Sequence, residues 1–398
     1  MTERTSSLQD IFSGRGGNGA SFLKENSLPT RKNEAWHYTS LRGLAKTIWQ
    51  AAPALDQGRI DVWLARLALP PAQGVVVFAN GRFVPSCSSL PEGVILQADL
   101  TPEDGVNTTS FSGMLNEALE QKGLELHVPD GQDAGLLVML VLNEGEGVST
   151  HLRHKISLGV KASLTILEVS VGRGRYLNNP VFEIECADRA HLTHVKQQNE
   201  SLEAYHLAFV SAMIGKKAVY ESFTLQQGGK IARHEVRTDL QNEQAIAHVN
   251  AIQVVSGQSH HDLTSFIHHI APHCQSRQTV RTVMDQEGTG VFQGKILVDQ
   301  KAQKTDGYQM NQALLLSDSA QMNSKPELEI YADDVRCSHG ATVGALDEEQ
   351  LFYLRSRGIA EAQARAMLIR AFLNESLELL GDQTIVRDYL LGSMNLHD

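Results

Sequence analysis

The sequence predicts an all-β core flanked by N-terminal and C-terminal α-helical regions, and three observations carry that prediction. From Gly135 to about His339 short runs rich in Val, Ile, Thr, Phe and Leu follow one another, broken by Gly, Asn, Asp or Gln. Examples are Leu136–Leu142, Ser163–Val171, Val181–Glu185, Tyr205–Ile214, Val219–Leu225, Ala245–Val255, Gln278–Met284 and Val291–Val298. No amphipathic helical pattern interrupts them, whereas both ends of the chain read as helix. The strand-rich stretch is longer than the roughly 100 residues of an ordinary sandwich, and it holds few of the Asn-Gly or Asp-Gly pairs that tight hairpins need. A solenoid answers both points, with Asn242, Gln244, Asn250 and Gln253 free to ladder at its corners. The runs alone leave a β-helix and a large sandwich open.

At 398 residues the chain exceeds the usual single-domain size, and its 42% hydrophobic content supplies a large core. The formal charge of −11, without a Lys/Arg block, argues against nucleic acid as a partner. Cys87, Cys186, Cys274 and Cys337 stand singly, so they form neither a disulfide framework nor a local metal knot, which suits a reducing compartment. The N-terminus lacks the apolar stretch of a signal peptide, and no run approaches the ~18 apolar residues of a membrane span. The expectation is a soluble, cytoplasmic protein with no membrane contact.

Four regions follow in order: 1–72 a helical region, 73–134 a mixed connection, 135–345 the β core, and 346–398 a helical domain. In the first, Asp10-Ile11-Phe12, Ala20–Lys24 and Leu41–Ala51 read as short helices, and Trp36 with His37 and Tyr38 as the anchor that docks them. Gly14–Gly19 matches G-x-G-x-x-G, but polar Thr2–Ser7 cannot be the buried strand that fingerprint requires, so it reads as a Gly-rich turn. In the second, Gly74–Ala79, Asn80-Gly81 and Arg82–Val84 read as a hairpin, and Gly113–Gln121 as a helix. After the core, Asp347 can cap a helix over Glu348–Arg357 that Gly358 stops, followed by Ala360–Leu380 and Thr384–Leu391. Phe352, Leu368 and Phe372 fall on stripes expected to be partly buried, with Arg355 and Arg365 at the polar margin.

The best metal-ligand pair is Cys337 and His339, at i and i+2 in an extended run, so that both leave one face of a strand while Ser338 leaves the other. A thiolate and an imidazole aimed together suit iron, zinc or the edge of a cluster. The spacing equally describes a strand end on which Cys packs as a small apolar residue and His as a hydrogen-bonded one. Ten of the sixteen histidines fall between His191 and His273, including His260-His261 and His268-His269; adjacent ones point to opposite faces, and they are expected as exposed rungs. Gly294-Lys295 and Gly215-Lys216 lack both the leading Gly and the Ser/Thr of a P-loop, so this chain is not an ATPase.

The run AQKTDGYQMNQALLLSD, then KPELEIYADDVRCSHGATVG and LDEEQLFYLRSRGI, resembles the SufB/SufD family of iron–sulfur cluster assembly proteins, and the Cys-Ser-His-Gly-Ala-Thr wording resembles its SufD branch. The likeness is strongest from about Asp262 to Leu380, taking in His269, Pro272, Cys274, Ser276 and Gly290–Ile296, with an echo at Asn33–Thr39. It implies a right-handed parallel β-helix between helical ends. It also implies a non-catalytic, SufD-like scaffold that supports nascent cluster formation and iron acquisition. The implied partners are a SufB-like subunit through the β-helix and a SufC-like ABC ATPase through the C-terminal helices, where Arg355, Arg365, Phe352 and Phe372 are the docking candidates; an isolated chain could pair with itself. The implied cofactor is an iron–sulfur cluster held transiently and shared with the partner, at His339 and Cys337, with none bound tightly to the isolated chain. Large β-helices also include polysaccharide-cleaving enzymes, so the alternative is a carbohydrate-active or metal-dependent enzyme using Asp285, Glu287, Asp299 and Asp306. Those acids are spread over several coils, and aromatic residues total only 6%.

Overall fold

A computed structural model describes residues 8–12, 20–97, 110–119 and 121–394. The Gly14–Gly19 turn lies outside the described residues. From Val181–Cys186 onward successive strands alternate between two sheets of parallel strands, so the chain winds as a β-helix and each strand pairs with the one two places along. Tyr205–Ile214, Ile231–Leu240, His260–His269, Thr289–Val298 and Gln321–Ile330 continue a twelve-stranded sheet. His191–Glu200, Val219–Gly228, Ile246–Val255, Gln275–Met284, Asp306–Leu315 and Arg336–Gly344 continue a ten-stranded one. The coil length varies from 26 residues, between Tyr205 and Ile231, to 32, between Thr289 and Gln321. Corners absorb the difference while the register within strands is kept.

One corner explains the scarcity of Asn-Gly pairs. Lys161, Arg189, Lys217, Gln244, His273 and Lys304 all take left-handed backbone angles, with φ from 56° to 63°. Each donates its N–H to a carbonyl of the next coil, on Asp188, Lys216, Glu243, Pro272, Gln303 and Asp334. A left-handed residue without glycine costs about 1–2 kcal/mol, and the repeated inter-coil bond offsets it. The Asn80-Gly81 turn is the hairpin its sequence predicts, positive φ at both positions and Gly74–Ala79 antiparallel to Arg82–Phe83.

Inside the stack, alternate residues pack as one apolar core from Val76 to Cys274. Polar groups interrupt it. Glu168 is held by Lys196, with His194 Nε2 3.4 Å from its other oxygen, and all three are buried. Burial pushes the Glu168 carboxyl up, but Lys196 and His194 outweigh it and hold it well below the usual range. Glu200 and His206 pair at 2.7 Å deeper along the same interior. Gln253 donates to Gln226 at 2.7 Å and accepts from Thr282, so the expected Gln ladder exists but runs inside the strands instead of at the corners.

Helical segments cover the outer faces. Leu373, Leu377, Leu380, Val386 and Leu390 pack on Val138, Leu140, Leu167, Val169, Val195, Phe223 and Leu225 of the ten-stranded sheet. On the other sheet Trp36 is buried, as its anchoring role requires, against Phe111 and 4.1 Å over the Arg233 guanidinium. Arg233 in turn binds Asp262 and Glu235, while Thr39 donates to Asp262 and Ser112 to Glu235. A fully buried guanidinium thus meets two carboxylates and an indole, which is what its burial demands.

Candidate functional site

The two ends of the β-helix differ. At the first, the sheets finish in antiparallel pieces of two and three residues, Arg82–Phe83 and Ile95–Gln97. At the other they finish in full strands, Gln321–Ile330 and Arg336–Gly344, which stand last in their sheets. Within Arg336–Gly344, Cys337 lies opposite Gly307 and His339 opposite Gln309. Gly307, Gln309 and Asn311 are the inward residues of their strand, so Cys337 and His339 share the inward face, as their spacing predicts.

Their surroundings are unlike. Cys337 is half-buried among Ile296, Leu328 and Val335, over the bare backbone of Gly307, and burial raises its thiol above the ordinary value. It is therefore a protonated thiol at neutral pH until a metal or cation claims it. His339 is exposed at the rim. Beneath it Gln309 is buried, with Nε2 donated to Glu327 O at 3.2 Å, and Asn311 donates to Ser324 at 3.0 Å. The last coil thus opens on a small polar floor.

The remaining cysteines do not join this pair. Cys186 and Cys274 belong to the interior core; burial pushes the Cys186 thiol up to about 12, and Cys274 donates to Asn242 O at 3.2 Å. Among the described residues no group of three or more His, Cys, Asp or Glu side chains is placed so that it could hold a metal ion. The histidine-rich segment corrects an expectation: His194, His206, His234, His261 and His269 are buried inside the coils instead of forming exposed rungs. Alternation is obeyed, since His261 and His269 point in while His260 and His268 point out, and the interior accepts the inward ones because it carries polar partners such as the Gly228 carbonyl and Ser276.

At the C-terminal helices, Asp347 caps Glu348–Ser356 by accepting from Glu349 N and Gln350 N, and Gly358 ends it with φ 85°. Phe372 is half-buried and stacks on Arg281 at 4.8 Å. Phe352 was expected to be partly buried and is not: it is 73% exposed, beside Tyr353 at 55%. The helix Glu348–Ser356 lies against the helix Glu361–Leu377 and buries only Leu351, which leaves Phe352 exposed. Arg355 is exposed and 3.4 Å from Glu361, and Arg365 is half-buried. The acids of the enzyme alternative do not converge: Asp285 and Glu287 sit in one turn, Asp299 is bound by His268 at 2.9 Å and Asp306 by Arg277 at 2.8 Å. Gly294-Lys295 lies within a strand, not in a phosphate-binding loop.

A family model described as the SufBD core domain of SUF-system FeS cluster assembly matches residues 140–372. The chain is 36% identical over 381 residues to the iron-sulfur cluster assembly protein SufD of Escherichia coli, covering 92% of this chain and 89% of that protein. The chain belongs to the SufB/SufD family. This SufD-like chain also shares 31% identity over 389 residues with a SufBD family protein of Synechocystis, covering 90% and 85% of the two. Its identity to one from Mycobacterium leprae is 26% over 375 residues, covering 92% and 90%. The matched core of the SufD-like chain spans the coils that carry Cys337 and His339.

Proposed function

We propose that this chain is the non-catalytic SufD-like scaffold of an iron–sulfur cluster assembly complex, and that its open coil meets a SufB-like subunit. The observation that carries this reading is the last strand, Arg336–Gly344, an unpaired edge with Cys337 and His339 on its inward face. Long exposed edges are templates for a second chain, and Ile330, Tyr331 and Val343 add exposed apolar surface there, at 37%, 60% and 51%. A thiol and an imidazole are too few for a cluster, which commonly takes four thiolates, so the remaining ligands come from the partner. His339 would ligate iron or tune a neighbouring thiolate, and Cys337 would serve as a ligand or as interface packing.

A second surface supports capture of a SufC-like ATPase. Phe352, Tyr353 and Met367 are exposed on the C-terminal helices, with Arg355 and Arg365 beside them. Among the described residues no helix is long and apolar enough to cross a membrane.

Co-purification from the native host, with mass spectrometry of partners and iron analysis, tests the assembly. Anaerobic reconstitution tests the division of labour: the isolated chain is expected to bind no stoichiometric cluster, and full occupancy without a partner would overturn the shared-site reading.

A further inference from the structure

The corner at which the chain leaves the twelve-stranded sheet for the ten-stranded one carries positive charge that the fold does not neutralise. Lys161, Arg189 and Lys217 each stand two residues before a strand, Ser163–Arg173, His191–Glu200 and Val219–Gly228. Ser163 pairs with His191 and His191 with Val219, which sets the three positions in one column. All three are exposed. Neighbouring coils repeat at strand spacing, ~4.8 Å, so three cations fall within roughly 10 Å.

Like charges placed opposite one another repel, and the same corner shows how the chain neutralises a cation elsewhere. Lys216 reaches Glu243 on the next coil at 3.2 Å, and Lys304 is held by Asp334. Among the described residues no carboxylate is paired in this way with Lys161, Arg189 or Lys217. Two acids of these turns are engaged with backbone instead: Asp130 Oδ1 accepts from Val160 N at 2.7 Å and Asp188 Oδ1 from Lys216 N at 2.9 Å. The backbone supplies a second observation. At φ of 59°, 62° and 56° glycine would fit freely and any other residue is strained, yet a cation occupies all three positions.

Beside the column runs an open cleft lined in part by Val160, Ala187, Met213 and Gly215, and Val160, which directly precedes Lys161, is 41% exposed. Glu185 and Asp188 line it too. These acids bar a continuous polyanion and leave an anionic partner one register, with its charges on the column and an apolar group in the cleft.

We propose that Lys161, Arg189 and Lys217 form a docking ladder for an acidic helix of a partner protein, with an apolar side chain of that helix seated against Val160 and Met213. Carboxylates three or four residues apart on a helix lie about 5–6 Å from one another, close to the coil spacing. Residues i and i+7 are separated by about 10 Å, the length of the column. A nucleic acid fits less well, because three cations answer few phosphates and the chain carries a net charge of −11. The ladder lies along the side of the coils, not at the open end, and does not depend on the assembly role.

Fluorescence anisotropy of the full chain with a labelled, hydrocarbon-stapled helical peptide carrying Glu at i, i+4 and i+7 tests it at low salt. Saturable binding that weakens as salt is raised is expected, and the same peptide with Gln at those positions should bind at least tenfold more weakly. The triple variant Lys161→Gly/Arg189→Gly/Lys217→Gly removes the charges while suiting the left-handed corner, so it should melt no lower than the wild type and lose at least tenfold in affinity. Lys304→Gly, at a paired position of the same corner, should leave binding in place. Undiminished binding by the triple variant would overturn the proposal, as would equal binding of the Glu and Gln peptides, or tighter binding of a single-stranded oligonucleotide or of phosphatidylserine vesicles than of the acidic helix.

Discussion

The two ends of the β-helix are made by the same pairing rules and finished in opposite ways. The first is closed by the short antiparallel pieces Arg82–Phe83 and Ile95–Gln97 and lies over interior residues such as Leu137 and Ile166 that are fully buried. The last ends in full-length strands whose residues are exposed or half-buried. Short, covered edges suppress further pairing, and long bare ones invite it. Among the described residues the full-length strands inside the stack each have two neighbours, whereas Gln321–Ile330 and Arg336–Gly344 have one and leave their other edge bare.

Substitutions sharpen this contrast, and the largest effect is expected in the closed half. Glu168→Ala strands the Lys196 ammonium in the interior and should cost about 3–5 kcal/mol, read as a shift in urea midpoint. The equivalent deletion at the open end, Lys304→Ala, removes an ion pair with Asp334 whose partners are 57% and 62% exposed, and should cost under about 1 kcal/mol. Equal losses would mean that the ends are not energetically distinct.

Next in size is a pH effect that also belongs to the interior. Burial holds His154, His261 and His269 down to about 4, against 6.5 for the free side chain. Between those values the unfolded chain binds protons that the folded chain refuses, so stability is complete above about pH 6.5 and falls as pH drops toward 4. Urea midpoints measured from pH 7.5 to 4.5 should show that slope, and His261→Asn should flatten it; a pH-independent midpoint would remove these groups from the account.

A smaller effect separates two phenylalanines on the C-terminal helices. Phe372→Ala uncovers Arg281 and should cost about 1–2 kcal/mol, part of the ~3–5 kcal/mol of a fully buried ring. Phe352→Ala should stay within about 0.5 kcal/mol and instead weaken capture of an ATPase partner in pull-down. The smallest stability effect is expected at His339. His339→Ala should leave the melt and the partner complex unchanged yet severely reduce maturation of iron–sulfur enzymes in vivo, with Cys337→Ala milder; normal maturation would take His339 out of the site.

The strands were legible because hydrophobic runs with polar breaks leave few other options, and the shared face of Cys337 and His339 followed from alternation alone. The corners were not legible, because Lys161, Arg189, Lys217, Gln244, His273 and Lys304 carry no turn signature; their left-handed angles come from a bond to the next coil, which no local pattern encodes. The buried histidines were misjudged for a related reason. A His beside a His says which faces are used but not which face is inside, where His261 is held by the Gly228 carbonyl and His269 by Ser276 Oγ, and where His194 and His206 are met by Glu168 and Glu200. Phe352 shows the converse, since a helix that buries only Leu351 against its neighbour gives no sequence sign that both of its aromatics stay exposed.

The C-terminal helices that lie on the ten-stranded sheet have a consequence for synthesis. Leu373, Leu377, Leu380, Val386 and Leu390 cover apolar residues laid down from Val138 onward. A ribosome releases those strands, and the helix Gln57–Arg66 that packs on the same cluster through Ile60, before the C-terminal helices, so part of the face stays bare until these emerge. A chain cut just before Leu373 keeps all its coils and loses that part of their cover, exposing Val195, Phe223 and Leu225 to whatever apolar surface is nearby.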